Sequence, residues 1–374
     1  MCGDAVKSRC VVLAGGGTGG HLAPGLAIAD ELRRRLRGAR VVFAGTGRPL
    51  EEHLVPPAGF ELLALPVAKL PRSPGQVLLF PLRLWHSLRS AGAVLRDLKP
   101  DIVVGLGGYG SFPAVVVARR FGVPVVLLEQ NSLPGKANRW LSRLAAEVYV
   151  QFESARGPLH YKDRVHVLGN PLRRGITEGT LQGACEKFSL DPRLKTLLIL
   201  GGSLGATRIN HAAADALPVL AASGVLQVIH QTGSHDFWWV SQAYKEVSIK
   251  SHVAAFINDM PDALAAADLI VGRSGATTLA EIAAVGRPSV LVPYPHAADN
   301  HQYLNAKTFE AAGAAVLYDD SNFDGPLLAS VVSDLLADDS RRAAMARASL
   351  TLAKPNATRD VCDRILALLG EHET

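Results

Sequence analysis

Short runs of consecutive apolar residues alternate along the chain with longer stretches whose apolar positions recur every three or four residues. The runs Cys10–Ala14, Arg40–Ala44, Asp101–Gly105, Pro124–Leu128 and Glu147–Val150 are rich in Val, Ile and Leu. They predict strands covered on both faces. Between them, Leu22–Leu36, Val77–Leu98, Phe112–Phe121 and Ala137–Leu144 carry helical spacing. Strands alternating with helices in this way predict a parallel sheet with helices on both sides.

The pattern then starts again about half the chain later. Lys195–Leu200 reads as a strand and is followed by the glycine loop "GGSLGA" (Gly201–Ala206) and a helix, with further strands at Val225–His230, Leu269–Gly272, Ser289–Val292 and Ala314–Leu317. The expectation is an α/β protein of two doubly wound, Rossmann-like domains, residues 1–170 and 171–355, joined near "LGNPLRR" (Leu168–Arg174). Pro355 interrupts the helical pattern, so residues 356–374 supply a last helix, Asn356–Leu369, that crosses back onto the first domain. Facing domains of this kind leave an interdomain cleft at the carboxyl ends of their strands, where ligands are expected.

Composition narrows the picture only slightly. At 374 residues, with 48% hydrophobic and 20% charged side chains, the chain suits a globular enzyme and excludes a largely disordered one. A net charge of +5 favours an anionic partner, such as a nucleotide or a phospholipid surface. The basic residues are spread out without a nucleic-acid recognition motif, which disfavours nucleic acid. Cys2, Cys10, Cys185 and Cys362 are far apart and show no metal-ligand spacing, consistent with a reducing compartment. The first ten residues lack the apolar core of a signal peptide, and no apolar stretch has the length of a membrane span. A cytosolic protein, able to lie against a membrane, is expected.

The candidate chemistry lies in the loops after strands. "GGGTGGH" (Gly15–His21) formally fits the dinucleotide fingerprint, but the second strand runs into Gly45-Thr46-Gly47 without the acid that would hold a ribose. The loop at Gly201 does not fit the fingerprint spacing. What both loops retain is backbone N–H groups at a helix N-terminus, which suits a phosphate. "GRSGATTLAE" (Gly272–Glu281) allows two readings. One is a capping box, Thr278 to Glu281; the other is a phosphate turn followed by a carboxylate for ribose hydroxyls. Val292–Gln302 ends in Asp299, Asn300, His301 and Gln302, side chains suited to sugar hydroxyls. Gly105–Ser111, with Tyr109, is a third glycine loop, and Glu129, Gln130 and Asn131 stand at another strand end. His21 reads as a general base, as a hydrogen-bond donor to a phosphate, or simply as a polar helix-start residue. No Asp-x-Asp pair exists to hold a divalent metal, and no Gly-x-x-x-x-Gly-Lys-[Ser/Thr] loop exists for ATP. Lys69–Arg89 is apolar and basic without acids; it reads equally as a lipid-facing amphipathic surface or as a helix packed on the sheet with snorkelling arginines.

Together, "GGGTGGHLAPGLAIA", "GLGGYGSFPA", "EQNSLPGKANRWL", "GNPLR", "GGSLGATRIN", "FINDM", "RSGATTLAEIAAVGRPSVLVPYP" and "DNHQYLNA" resemble, in order, the MurG family. These are the lipid-linked N-acetylglucosaminyltransferases of bacterial peptidoglycan synthesis, in glycosyltransferase family 28. The resemblance runs from Val11 to Ala315 and implies a GT-B fold. It implies transfer of N-acetylglucosamine from UDP-GlcNAc, with inversion, to the 4-hydroxyl of the muramoyl sugar of lipid I, giving lipid II. By motif, the donor site holds Arg173, Ser203, Ile257, Ala276, Thr277, Thr278, Leu279, Ala280, Glu281 and Gln302, with Thr18, Gly19, Gly20 and Asn131 from the first domain. Tyr109, Glu129 and Asn138 fall on the acceptor side, with His21 as candidate base. No metal or other cofactor is implied. The implied partners are the two substrates, the anionic cytoplasmic face of the inner membrane through Lys69–Arg89, and other cell-wall synthesis proteins. Where many members read Asp-Arg-Gln-Gln, this chain has Asp299-Asn300-His301-Gln302. The alternatives are another GT-B enzyme, such as a glycolipid synthase or a UDP-GlcNAc 2-epimerase, and a non-catalytic nucleotide-sugar-binding membrane adaptor.

Overall fold

The computed structural model describes residues 9–371 apart from 69, 70, 72, 203 and 204. The expected residue Ser203, and Lys69 and Arg72 of the basic apolar stretch, therefore lie outside the described residues. The chain divides into two compact units: one takes in the residues up to Arg173 and from Asn356 onward, the other Arg174–Pro355.

The first unit is built on seven parallel strands. They are β1 (Cys10–Ala14), β2 (Arg40–Gly45), β3 (Glu61–Ala64), β4 (Ile102–Gly105), β5 (Val125–Glu129), β6 (Glu147–Val150) and β7 (Val165–Val167). Their order in the sheet is β3-β2-β1-β4-β5-β6-β7. Central strands such as β1 are buried along their whole length, as helices on both faces require. The edge strands β3 and β7 escape the sequence reading because they are short and half-exposed, with Glu61 and His166 among their residues.

The second unit repeats the scheme with β8 (Lys195–Leu200), β9 (Leu226–Gln231), β10 (Lys250–Ala254), β11 (Leu269–Gly272), β12 (Ser289–Leu291) and β13 (Ala315–Leu317). The order is β10-β9-β8-β11-β12-β13, again all parallel. The order reverses between β1 and β4 in one unit and between β8 and β11 in the other. Ligands of open α/β sheets bind outside the carboxyl ends at such reversals.

After Pro355, the helix Ala357–Leu368 packs on the helix Gly19–Arg35. Val361, Cys362 and Ile365 share a fully buried cluster with Ile28 and Leu32. Burying side chains of this size contributes about 1.5–3 kcal/mol each. Polar ties fix its register: Arg364 forks onto Glu147 at 2.6 and 2.7 Å, and Leu172 N donates to Thr358 Oγ1 at 3.0 Å.

Candidate functional site

In the first unit, β1 delivers three glycines in succession with positive φ: Gly15 (117°), Gly16 (156°) and Gly17 (83°). Only glycine adopts such a run without strain. Space requires it too, since a β-carbon on Gly16 would collide with Glu51 Oε1. Glu51 is fully buried behind the loop and accepts from Thr46 N (2.7 Å), Thr46 Oγ1 (2.8 Å) and Gly47 N (2.8 Å). Arg48 donates to Gly17 O at 2.9 Å. The glycine loop is thus braced from beneath and leads into the helix Gly19–Arg35, with extended Thr18 as its N-cap residue.

Thr18 does not cap that helix with its side chain. Its hydroxyl lies 2.9 Å from His21 Nδ1 instead. The imidazole lies against the loop after β4, because β-carbons placed on Gly107 and Gly108 would come within 3.2 and 3.4 Å of it. Ser111, fully buried, donates to Gly108 O at 2.9 Å and pins this loop, while Tyr109 is 41% exposed. Gln130 closes the same corner. Its Nε2 donates to Leu106 O at 3.0 Å, so its Oε1 is turned toward Gly107, where it finds no partner among the described residues.

Glu129, at the end of β5, is buried, and burial raises its carboxyl pKa. Four donors oppose that rise. Oε1 accepts from Asn131 N (3.0 Å) and Nδ2 (3.3 Å); Oε2 accepts from Gly135 N (3.0 Å) and Asn138 Nδ2 (2.9 Å). Asn138 spends its other amide proton on Leu128 O at 2.8 Å. Glu129 and Asn138 therefore build the Asn131–Gly135 turn, and Asn131 is the half-buried residue they hold in place.

In the second unit, β11 ends at Gly272 and, after three intervening residues, the helix Ala276–Val285 begins, with Gly275 as its N-cap. Thr278 and Glu281 both lie inside this helix, so the capping-box reading fails. Glu281 stands half-buried on its second turn. Ala276 and Leu279 are buried, and Leu279 N donates to Gly275 O at 2.9 Å. Thr277, Thr278 and Ala280 occupy the partly exposed side. Fully buried Ser274 donates to Gln302 O at 2.8 Å, which ties this turn to the helix His301–Ala311.

Gln302 Oε1 accepts from Tyr294 N at 3.0 Å, leaving its amide nitrogen as the donor end. Two left-handed non-glycine residues, Asp299 (φ 50°) and Asn300 (φ 54°), precede that helix. His301 Nδ1 lies 2.7 Å from Ala298 O; a carbonyl only accepts, so Nδ1 carries a proton. Ile257 is 3% exposed and its N–H is held by Gln231 Oε1 at 3.0 Å. Arg173 is exposed at the end of the first unit. Among the described residues no group of three His, Cys, Asp or Glu side chains could hold a metal ion.

The structure thus brings together Thr18, His21 and the Tyr109 loop in one unit, beside the Glu129–Asn131–Asn138 cluster. In the other it joins Gln302 to the turn before Ala276. The sequence reading missed Glu51 and Gln231, and took Gln130 only as one of two amides suited to a hydroxyl-rich ligand. Polar residues at or just after a buried strand's carboxyl end were the available signal for the two glutamines.

The profile of the glycosyltransferase family 28 N-terminal domain matches residues 11–150, and that of the family's C-terminal domain matches residues 196–364. A protein of Thermodesulfovibrio yellowstonii is 37% identical over 363 residues, covering 96% of this chain and 98% of its own length. One of Anaeromyxobacter sp. strain Fw109-5 is 42% identical, covering 94% and 92%. Both are named UDP-N-acetylglucosamine--N-acetylmuramyl-(pentapeptide) pyrophosphoryl-undecaprenol N-acetylglucosamine transferase. Among solved structures, Acinetobacter baumannii MurG superposes with a TM-score of 0.76 at 30% identity over 96% of this chain and 99% of its own. A UDP-GlcNAc 2-epimerase from Neisseria meningitidis, at 15% identity and a TM-score of 0.66, shares the fold alone.

Proposed function

That the chain belongs to glycosyltransferase family 28 is the premise from which we propose its reaction. It moves N-acetylglucosamine from UDP-GlcNAc to lipid I, undecaprenyl-pyrophosphoryl N-acetylmuramoyl pentapeptide, giving lipid II for peptidoglycan synthesis. The observation that carries this reading is identity of 37–42%, along nearly the whole chain, to proteins named for that transfer. Glycine loops at the sheet reversals of both units supply the phosphate-binding chemistry the reaction needs.

In this reading the second unit takes the donor. The diphosphate lies at the N-terminus of the Ala276–Val285 helix, Glu281 accepts from the ribose hydroxyls, and the Gln302 amide donates to the sugar or phosphate. Ile257 lines the rest, to which Ser203 is assigned by motif. The first unit takes lipid I at the Gly15–Gly17 loop, beside Tyr109 and the turn that Glu129 and Asn138 hold. By motif, Thr18, Gly19, Gly20, Asn131 and Arg173 are also assigned to the donor.

The acceptor's 4-oxygen attacks the anomeric carbon as the bond to UDP breaks, inverting that carbon. His21 Nε2 takes the hydroxyl proton. For Nε2 to be the basic nitrogen, Nδ1 must carry the other proton and donate it to Thr18 Oγ1, which the 2.9 Å contact allows. The leaving diphosphate gains charge, which helix N-terminal N–H groups and Arg173 stabilise.

No described helix is long and apolar enough to cross a membrane. The helix Pro74–Leu98 nonetheless presents Leu78 (80% exposed), Leu82 and Trp85 (60% exposed) to solvent, with Arg89 over the Trp85 ring. This face is the proposed contact with the cytoplasmic leaflet of the inner membrane, where a lipid-borne acceptor is found. The direct test of the reaction is movement of labelled N-acetylglucosamine from UDP-GlcNAc into a lipid I analogue.

A further inference from the structure

Strand β9 ends in two buried polar residues, His230 and Gln231, and a third, Thr232, follows directly. Buried strands of a parallel sheet are normally apolar throughout. In the sheet order, β9 lies between β10 and β8, so its carboxyl end has one neighbouring loop on each side. Gln231 reaches both. Its Oε1 accepts from Ile257 N, in the loop after β10, at 3.0 Å, and its Nε2 donates to Gly202 O, in the loop after β8, at 3.0 Å. Each end of the amide is matched to its partner, an N–H on one side and a carbonyl on the other, so the side chain has one satisfied orientation.

A second layer fixes the strand end itself. Asn210 Nδ2 donates to Thr232 O (2.9 Å) and to Asp236 Oδ2 (2.8 Å), and Asn210 Oδ1 lies 3.0 Å from His230 Nε2. His230, held on its other side by Tyr244 (3.1 Å), is fully buried, and burial keeps its imidazole neutral. Gly202 has φ 78°, which glycine adopts without strain, and the Gln231 amide holds its carbonyl.

We propose that Gln231 is a positioning residue for the nucleotide-sugar site: one buried amide sets the spacing of the Gly202 and Ile257 loops before UDP-GlcNAc binds. This rests on the reading that the second unit holds the donor. Its consequence is selective. Removing the amide weakens UDP binding and leaves the acceptor and the chemical step nearly alone, because neither loop carries His21 or the Glu129 turn.

The test uses the full chain with Gln231→Met, which fills the space without hydrogen bonds, Gln231→Glu, which keeps the acceptor for Ile257 N, and Glu281→Ala as reference. UDP affinity is measured by calorimetry, and KM and kcat with UDP-GlcNAc and a lipid I analogue. Gln231→Met should raise the UDP Kd and the donor KM about tenfold, the loss of one to two buried hydrogen bonds, with kcat and acceptor KM within about twofold. Gln231→Glu should fall between it and the natural chain, and decides the matter alone if the Met variant does not fold. Natural UDP affinity in both Gln231 variants, with affinity lost in Glu281→Ala, overturns this proposal alone. Equal loss in donor KM, acceptor KM and kcat also overturns it. Natural UDP affinity in Glu281→Ala overturns the donor-site reading beneath it.

Discussion

The hydroxyl of Thr18 and the imidazole of His21 face each other across one helical turn, Oγ1 to Nδ1 at 2.9 Å, with the ring laid against the Gly107–Gly108 backbone. In the proposed mechanism, Thr18 orients the ring by accepting from Nδ1, and Nε2 is the nitrogen that takes the acceptor's proton.

Thr18→Val keeps the shape and removes the hydroxyl. Steady-state kinetics should show kcat lowered about tenfold, the worth of an orienting hydrogen bond, with Thr18→Ser close to the natural value. Equal activity in the Val and Ser variants would remove Thr18 from the mechanism. His21→Asn should lose more than either.

Glu129 spends both oxygens on Asn131, Gly135 and Asn138. Glu129→Ala leaves those donors without their acceptor and should cost about 1–3 kcal/mol in urea unfolding, along with activity. Unchanged stability with activity lost would instead make Glu129 a direct substrate ligand.

His230 gives the second unit a pH dependence. Burial pushes its imidazole pKa down to about 3, against the ordinary 6.5, so the unfolded chain binds a proton that the folded one refuses. Stability from this group is complete above pH 6.5 and is lost as pH falls toward 3. The linked loss is on the order of 5 kcal/mol. Unfolding of His230→Gln across that range should be flatter than that of the natural chain; parallel curves would contradict the assignment.

Leu78→Glu with Trp85→Glu places two carboxylates on the exposed face of the Pro74–Leu98 helix. In flotation with anionic vesicles the double variant should remain in the soluble fraction while retaining its thermal midpoint. Flotation equal to that of the natural chain would make this face structural only.

The sequence was most legible where burial is complete. Strands β1, β6, β8 and β11 have the bounds that their Val, Ile and Leu runs predict. Half-exposed edges were opaque: in β10, Lys250, Ser251 and His252 answer to solvent as much as to the core. The first helix starts at Gly19 and not Leu22, because the glycine loop and Thr18 dictate its start against the poor helix propensity of Gly19-Gly20. Of the site, the residue types were readable and their partners were not. Glu129 stood out as a carboxylate at a strand end, but that it serves the turn following it depends on where Gly135 and Asn138 fold. Gln231 was invisible for the same reason, since its two partners come from loops on either side of its strand.

The central claim is sugar transfer to a lipid-borne acceptor. The most direct measurement incubates the full chain with UDP-[14C]GlcNAc and a lipid I analogue, extracts the lipid, and counts it. The account predicts label in a disaccharide lipid with equimolar UDP release, and near-background label with His21→Asn. Binding of UDP-GlcNAc without any label entering the lipid would contradict it.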